Sequence, residues 1–364
     1  MRISWITALA SSVVALTIAL PAVAANMTPE LKALAAAADK EGEILVMWSA
    51  STMGGPKGAK VFEARMNKEY GTNLKIKWAP GPSMPRMGNR VAMSYTNSLP
   101  SPTDVYMGFS RNMATLQKHN IFASAPWEKY YPGWLDERVV EQNDTLVRVM
   151  SVTLGFTYNT KLAPFAPTKV SDFLKPGWKG KVATTPYAAG FEQLAAKEVW
   201  GAKKGIEFVE SFTNQIAGFM RCSEHERLTS GEFLALVFDC SGDSMKRAIA
   251  KGAPLARIVP SDAPLVSYFY FGVPKNAVHP NGGKLLAAYA GSKDGQRTVY
   301  ELTAGDNHAL PGSEVGKVIT GLEAKYGAKF VNADVNWQLA NKAGNKAQKQ
   351  AKKIMRKARK KKRK

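Results

Sequence analysis

Cysteine, histidine and acidic residues are scarce in this chain. Of its 364 residues 2 are Cys and 4 are His, and 29 Asp+Glu stand against 50 Lys+Arg. The histidines, His119, His225, His279 and His308, are far apart in sequence, and His225 alone does not complete a metal set with Cys222 and Cys240. Neither a G-x-S-x-G elbow nor an H-E-x-x-H helix occurs, so the sequence shows no recognisable catalytic set. No repeat of 20 to 50 residues is present, which argues against a solenoid. With 45% hydrophobic and 22% charged residues, disorder throughout, a collagen repeat and a small disulfide scaffold are excluded. The length favours two lobes over one compact domain.

The shortage of acid gives a formal net charge of +21, which invites a nucleic-acid reading until the charge is localised. Residues 342–364 hold thirteen Lys/Arg and no Asp or Glu, and the amino-terminal leader holds one Arg. Without those two segments the body carries only +7. No specific nucleic-acid partner is expected of it.

Residues 3–29 carry no charge, and the apolar stretch after Arg2 ends in Pro21-Ala22-Val23-Ala24-Ala25-Asn26. One cation, a short apolar core and small residues before the junction predict a signal peptide over residues 1–25, cleaved after Ala24 or Ala25; an uncleaved anchor is the alternative. No Cys lies near the cleavage site to take a lipid. A soluble mature protein in the periplasm is the expectation. In an oxidising compartment the even count of Cys222 and Cys240 favours a disulfide, with two free buried thiols as the other reading.

Along the mature chain, Thr28 and Pro29 open a helix with Leu31, Leu34, Ala35 and Ala38 at helical spacing. The run Ile44–Trp48 reads as a buried strand, followed by Ser49–Gly55 and a helix over Ala59–Tyr70. Strands at Leu74–Trp78 and Thr103–Met107 alternate with helices at Arg86–Ser94 and Met113–Lys118. Further strands fall at Val147–Tyr158, Lys181–Thr184 and Phe233–Phe238, and helices at Phe191–Trp200 and Ala202–Ile216. This alternation predicts an α/β fold with a mainly parallel sheet covered on both faces.

Several ordered segments carry a resemblance: Thr157–Leu162, Trp178–Ala183, Ser230-Gly231-Glu232 before a strand, Gly272–Ala277 with His279-Pro280-Asn281, and Ser292–Gln296. Together they resemble the extracellular solute-binding proteins of ABC importers, in particular the subgroup that includes the ferric-iron binders, over roughly residues 40–320. The resemblance implies a two-lobed type II periplasmic-binding-protein fold whose crossing strands form a hinge and whose ligand is enclosed between the lobes. By analogy the first lobe spans 26–150 plus 265–310, the second 151–264 plus 311–340, and a basic tail 341–364. It further implies a monomer that hands its solute to an inner-membrane permease, with no cofactor and no catalysis.

The positions that inherit a pocket place from the family are Ser49, Ser51, Thr52, Tyr106, Tyr187, Arg221, Asp239, Tyr268 and Tyr270. The hydroxyls of Ser49, Ser51 and Thr52 can bind an anionic oxygen or cap the next helix. Arg221 can hold a carboxylate or phosphate, or pair with Glu224 or Glu226 on the surface. Tyr187 can stack on a ligand, ligate a hard metal, or line a lobe edge. Where the ferric binders carry adjacent tyrosines this chain reads Val237-Phe238-Asp239-Cys240-Ser241, a poor donor set for Fe³⁺. Tyr268 and Tyr270 offer another metal arrangement, or one face of a strand in the core. The reading is therefore capture of a small anionic organic solute or a metal chelate. Alternatives are free ferric iron, an exported hydrolase, and a polyanion- or surface-binding protein acting through the tail. The tail itself reads either as an amphipathic helix, with Ala343, Ala347, Ala351, Ile354, Met355 and Ala358 close to helical spacing, that contacts an anionic surface, or as a solvated, partly disordered appendage.

Overall fold

A computed structural model describes residues 27–49, 52–186, 190–240 and 242–361. The first part of the chain forms α1 (Pro29–Glu41), β1 (Glu43–Trp48), α2 (Gly55–Tyr70), β2 (Lys75–Pro80), α3 (Met84–Thr96), β3 (Tyr106–Phe109), α4 (Ser110–Gln117), α5 (Trp127–Tyr130), β4 (Val140–Glu141) and β5 (Leu146–Thr153). Then follow β6 (Phe156–Asn159), β7 (Val182–Thr184), α6 (Phe191–Leu194), α7 (Gly201–Phe212), β8 (Ile216–Phe219), α8 (Glu226–Thr229), β9 (Ala235–Val237), α9 (Asp243–Ala250) and β10 (Leu255–Ile258). The last part holds β11 (Leu265–Gly272), α10 (Pro280–Gly291), α11 (Lys293–Thr303), α12 (Glu314–Tyr326), β12 (Val331–Ala333), α13 (Val335–Ala340) and α14 (Lys342–Lys361).

Local sequence accounts for the first elements. The Thr28 hydroxyl accepts from the Leu31 N–H, Pro29 needs no partner at the first helical position, and Gly42 ends α1 with φ 75°. In β1 burial alternates, with Ile44, Val46 and Trp48 turned inward. The expected helix over Phe191–Trp200 stops at Leu194, because residues 195–200 turn so that Trp200 Nε1 donates to the Asp262 carbonyl at 2.7 Å and Gly201 takes φ 78°.

The two lobes have separate sheets. In the first, β1 and β2 pair in parallel, while β12-β11-β5-β4 form a second path with β3 added to β11; β12 belongs to the stretch 311–340 expected with the second lobe, yet it pairs with β11. In the second lobe five strands run in the order β10-β6-β9-β7-β8, with β7 parallel to both β8 and β9. The sheets are less parallel than the alternation suggested: β11 runs against β5 and β3, and β6 against β9 and β10. These are the strands at the lobe crossings. β5 continues into β6 through Leu154-Gly155, and β10 into β11 through residues 259–264, so each arrives from the other lobe instead of returning through a helix.

The first lobe's core gathers Phe62, Leu285, Leu286 and Tyr289, and the second lobe's gathers Phe156, Phe173, Trp178 and Phe212. A further cluster joins Tyr106, Phe122, Tyr268 and Tyr270 to Val315 and Ile319 of α12 and Val335 of α13. The basic terminal segment is a docked helix. Ala347, Ala351 and Met355 of α14 are buried, and the helix packs on α6 and α7. The middle of the stripe seen in the sequence therefore faces the second lobe, while Ala343 at its start is exposed; burying a Met side chain there contributes about 1.5–3 kcal/mol.

Candidate functional site

In each lobe the parallel strands share a direction and bring several candidate residues to one end. Val46 bridges Val105 in parallel, so β1, β2 and the approach to β3 share a direction and deliver Ser49, Gly81 and Ser110 to one end of the first lobe. There the Ser49 and Thr52 hydroxyls lie 2.8 Å apart, and Gly54 and Gly55 adopt φ 74° and 60° before α2. In the second lobe β7, β8 and β9 run together into Thr185, Arg221 and Asp239. The carboxyl ends of parallel strands are where open α/β sheets bind ligands. The lobes touch beside these ends. Lys246 Nζ of α9 donates to the Ala304 carbonyl at 2.8 Å and Arg247 Nη1 to the Leu302 carbonyl at 3.2 Å, both at the carboxyl terminus of α11, where cations are favoured. Leu302 in turn lies against Gly54, which links this contact to the Ser49–Gly55 loop.

The second lobe's rim is tied together. Cys222 and Cys240 form a disulfide with Cα atoms 6.1 Å apart, joining the loop after β8 to the loop after β9 across the end of β7. Arg221 sits beside it with an exposed side chain, and only its backbone N–H donates to Glu224 Oε2, at 3.0 Å. Of the two surface partners considered for the Arg221 side chain, Glu224 pairs with Arg227 and Glu226 lies beside His225.

Asp239 is fully buried and engaged. Thr157 Oγ1 donates to its Oδ2 at 2.7 Å, Arg257 Nη2 donates to its Oδ1 at 3.1 Å, and Arg257 Nε lies 2.9 Å from Oδ2. The same guanidinium donates to the Thr153 carbonyl at 2.9 Å and the Thr153 hydroxyl at 3.1 Å, so it fastens the end of β5 to the second lobe. Room for it comes from two glycines. A Cβ on Gly155 would stand 2.4 Å from Nη2, and one on Gly242 would stand 2.0 Å from Nε. Sequence reasoning overlooked Arg257; the available signal was Gly155 and Gly242, distant glycines flanking a crossing and a helix start.

The candidate tyrosines lie in the first lobe's interior. Tyr106 donates to the Met84 carbonyl at 3.0 Å, Tyr270 donates to Glu141 Oε1 at 2.7 Å, and Tyr268 donates to Asn332 Oδ1. The Arg148 guanidinium lies 3.9 Å from the Tyr268 ring centre and pairs with Glu141. The His308 ring also stacks with Tyr268, centres 5.6 Å apart, and its Nδ1 is 2.9 Å from the Ser151 hydroxyl. Burial raises all three phenols above their usual range and, helped by the Arg148 charge, pushes His308 down to about 4. Ser51 and Tyr187 lie outside the described residues. Among the described residues no group of three or more His, Cys, Asp or Glu side chains is placed to hold a metal, and no helix is long and apolar enough to cross a membrane.

Residues 101–315 match the family model of a bacterial extracellular solute-binding protein. The chain belongs to that family. Its fold is shared with solved solute-binding proteins. One is the substrate-binding protein of an ABC transporter from Agrobacterium tumefaciens, at TM-score 0.68 and 13% identity over 88% of this chain and 97% of that one. Another is the periplasmic binding protein AfuA from Actinobacillus pleuropneumoniae with fructose-6-phosphate bound, at 0.64 and 17% over 87% and 97%. A third is iron-bound HitA from Pseudomonas aeruginosa, at 0.62 and 14% over 85% and 99%. No curated protein matches the sequence significantly. The two-lobed architecture expected from the resemblance is thus present, and the family is one of solute-binding proteins.

Proposed function

We propose that this chain captures a small anionic solute in the periplasm, by closure of its lobes, and delivers it as a monomer to an ABC permease. The observation that carries the anionic reading is the neutralisation of Asp239. With that carboxylate closed off by Arg257 and Thr157, the polar groups left at the strand ends are the mutually bonded hydroxyls of Ser49 and Thr52, the turn at Gly54-Gly55 and the exposed Arg221. Oxyanions on a solute suit such donors, and the guanidinium adds two-point recognition of carboxylate or phosphate. Free ferric iron is the less supported ligand, since Tyr106, Tyr268 and Tyr270 hold their protons tightly and have their hydroxyls engaged. No catalytic role is proposed.

Thermal-shift screening of the mature protein against organic acids, phosphonates, sugar phosphates, polyamines and iron salts tests this. The expected result is a shift with an anionic organic compound that weakens in Arg221→Ala. A large shift with iron alone, with a visible tyrosinate charge-transfer band, would overturn it.

A further inference from the structure

The terminal helix turns its two faces to different surroundings. Ala347, Ala351 and Met355 are buried against the second lobe, while Lys342, Lys346, Lys349, Lys353, Arg356 and Lys360 recur at spacings of three and four residues on the opposite side and are all exposed. None of these six side chains makes an ion pair or hydrogen bond among the described residues, and the helix contains no acid. Like charges at i,i+4 weaken a helix, so this array is held in place by docking and not by its own pairing. The sequence continues into Lys362-Arg363-Lys364, extending the charge.

We infer that this face of α14 is a docking surface for an anionic lipid bilayer. The chemistry favours lipid over a protein partner for two reasons. The face is mainly lysine with no exposed aromatic or aliphatic anchor, and protein interfaces are depleted in lysine and depend on such anchors. A polybasic strip, by contrast, is drawn to a negatively charged leaflet with no need for shape complementarity. Because the apolar stripe is already used inside the protein, the helix lies on the headgroups without inserting, unlike an amphipathic helix that buries its apolar side in the membrane. The permease sits in that bilayer, so the surface would hold the binder in two dimensions near its acceptor with the second lobe turned to the membrane. This inference is independent of the identity of the solute.

The test is co-sedimentation of the mature protein with phosphatidylcholine vesicles and with vesicles containing phosphatidylglycerol, at low and high salt. Binding is expected only to the phosphatidylglycerol vesicles and is expected to fade at high salt, where the screening length falls to about 3 Å near 1 M. The variant Lys346→Gln/Lys349→Gln/Lys353→Gln/Arg356→Gln/Lys360→Gln leaves the buried stripe intact and should lose at least about a hundredfold in partitioning. Its melting temperature serves as the check on folding. A control that neutralises Lys32, Lys40, Lys68, Lys118 and Lys129 should bind vesicles nearly as well as the parent. Equal binding to neutral vesicles, salt-insensitive binding, or an equal loss in the control would overturn the inference. So would retention only on neutral vesicles carrying the permease, which would assign the face to a protein.

Discussion

Both lobes bury an arginine at the crossing, and they surround it differently. In the first, Arg148 is shared among Glu141, Tyr268 and, through Glu141, Tyr270, with His308 and Ser151 completing the cluster. In the second, Arg257 depends on one carboxylate, Asp239, and a disulfide closes the rim beside it. The first arrangement includes two phenols and a titratable ring, while the second rests on one ion pair, flanked by Thr153 and Thr157, and one covalent bond. The first lobe should therefore respond to pH, and the second to single substitutions and to reductant.

Asp239→Ala should have the largest effect. It leaves the Arg257 charge buried without its partner, a change that costs about 3–5 kcal/mol, and chemical denaturation should show the loss with hydrogen exchange rising first in the second lobe. Replacing Cys222 and Cys240 together by Ser removes a cross-link between residues 18 apart in sequence, and the lost stability should be about 3 kcal/mol by denaturant titration. Reductant should reproduce it in the parent protein and have no effect on the double variant. If either change destabilised the first lobe as much as the second, the division of labour between them would fail.

The smallest effect is the pH response of the first lobe. His308 has a folded pKa near 4 against about 6.5 when unfolded, so above pH 6.5 it is neutral in both states and its contribution is fully present. As pH falls from 6.5 toward 4 the unfolded chain takes up the proton and the folded one does not, which removes about 2–3 kcal/mol across that window. In His308→Gln the dependence of stability on pH between 6.5 and 4 should be shallower by about one proton. An unchanged slope would show that the ring is not held neutral by its buried place against Arg148.

Much of this design is legible in the sequence. Thr28-Pro29, the apolar run of β1, the pairing of Cys222 with Cys240 and the ordered family segments all rest on local chemistry or on spacing. Tyr268 and Tyr270 share a face, as strand alternation requires, and that face is core. What escaped notice depends on residues distant in the chain. Arg257 meets Thr153, Gly155, Asp239 and Gly242 only once two crossings and a helix start converge, and no local pattern announces that meeting. The stripe on α14 was visible, but its destination was not, because the receiving surface is assembled from α6 and α7. An apolar stripe on a basic helix reads equally as membrane-seeking or core-seeking until its partner is placed.

The central proposal is that the lobes close on an anionic solute held by Ser49, Thr52 and Arg221. Small-angle X-ray scattering of the mature protein, with and without the best compound from the anionic panel, tests it most directly. The account predicts a smaller radius of gyration at saturation and no change with the same compound in Arg221→Ala. An unchanged radius at saturation, or contraction with iron alone, would contradict it.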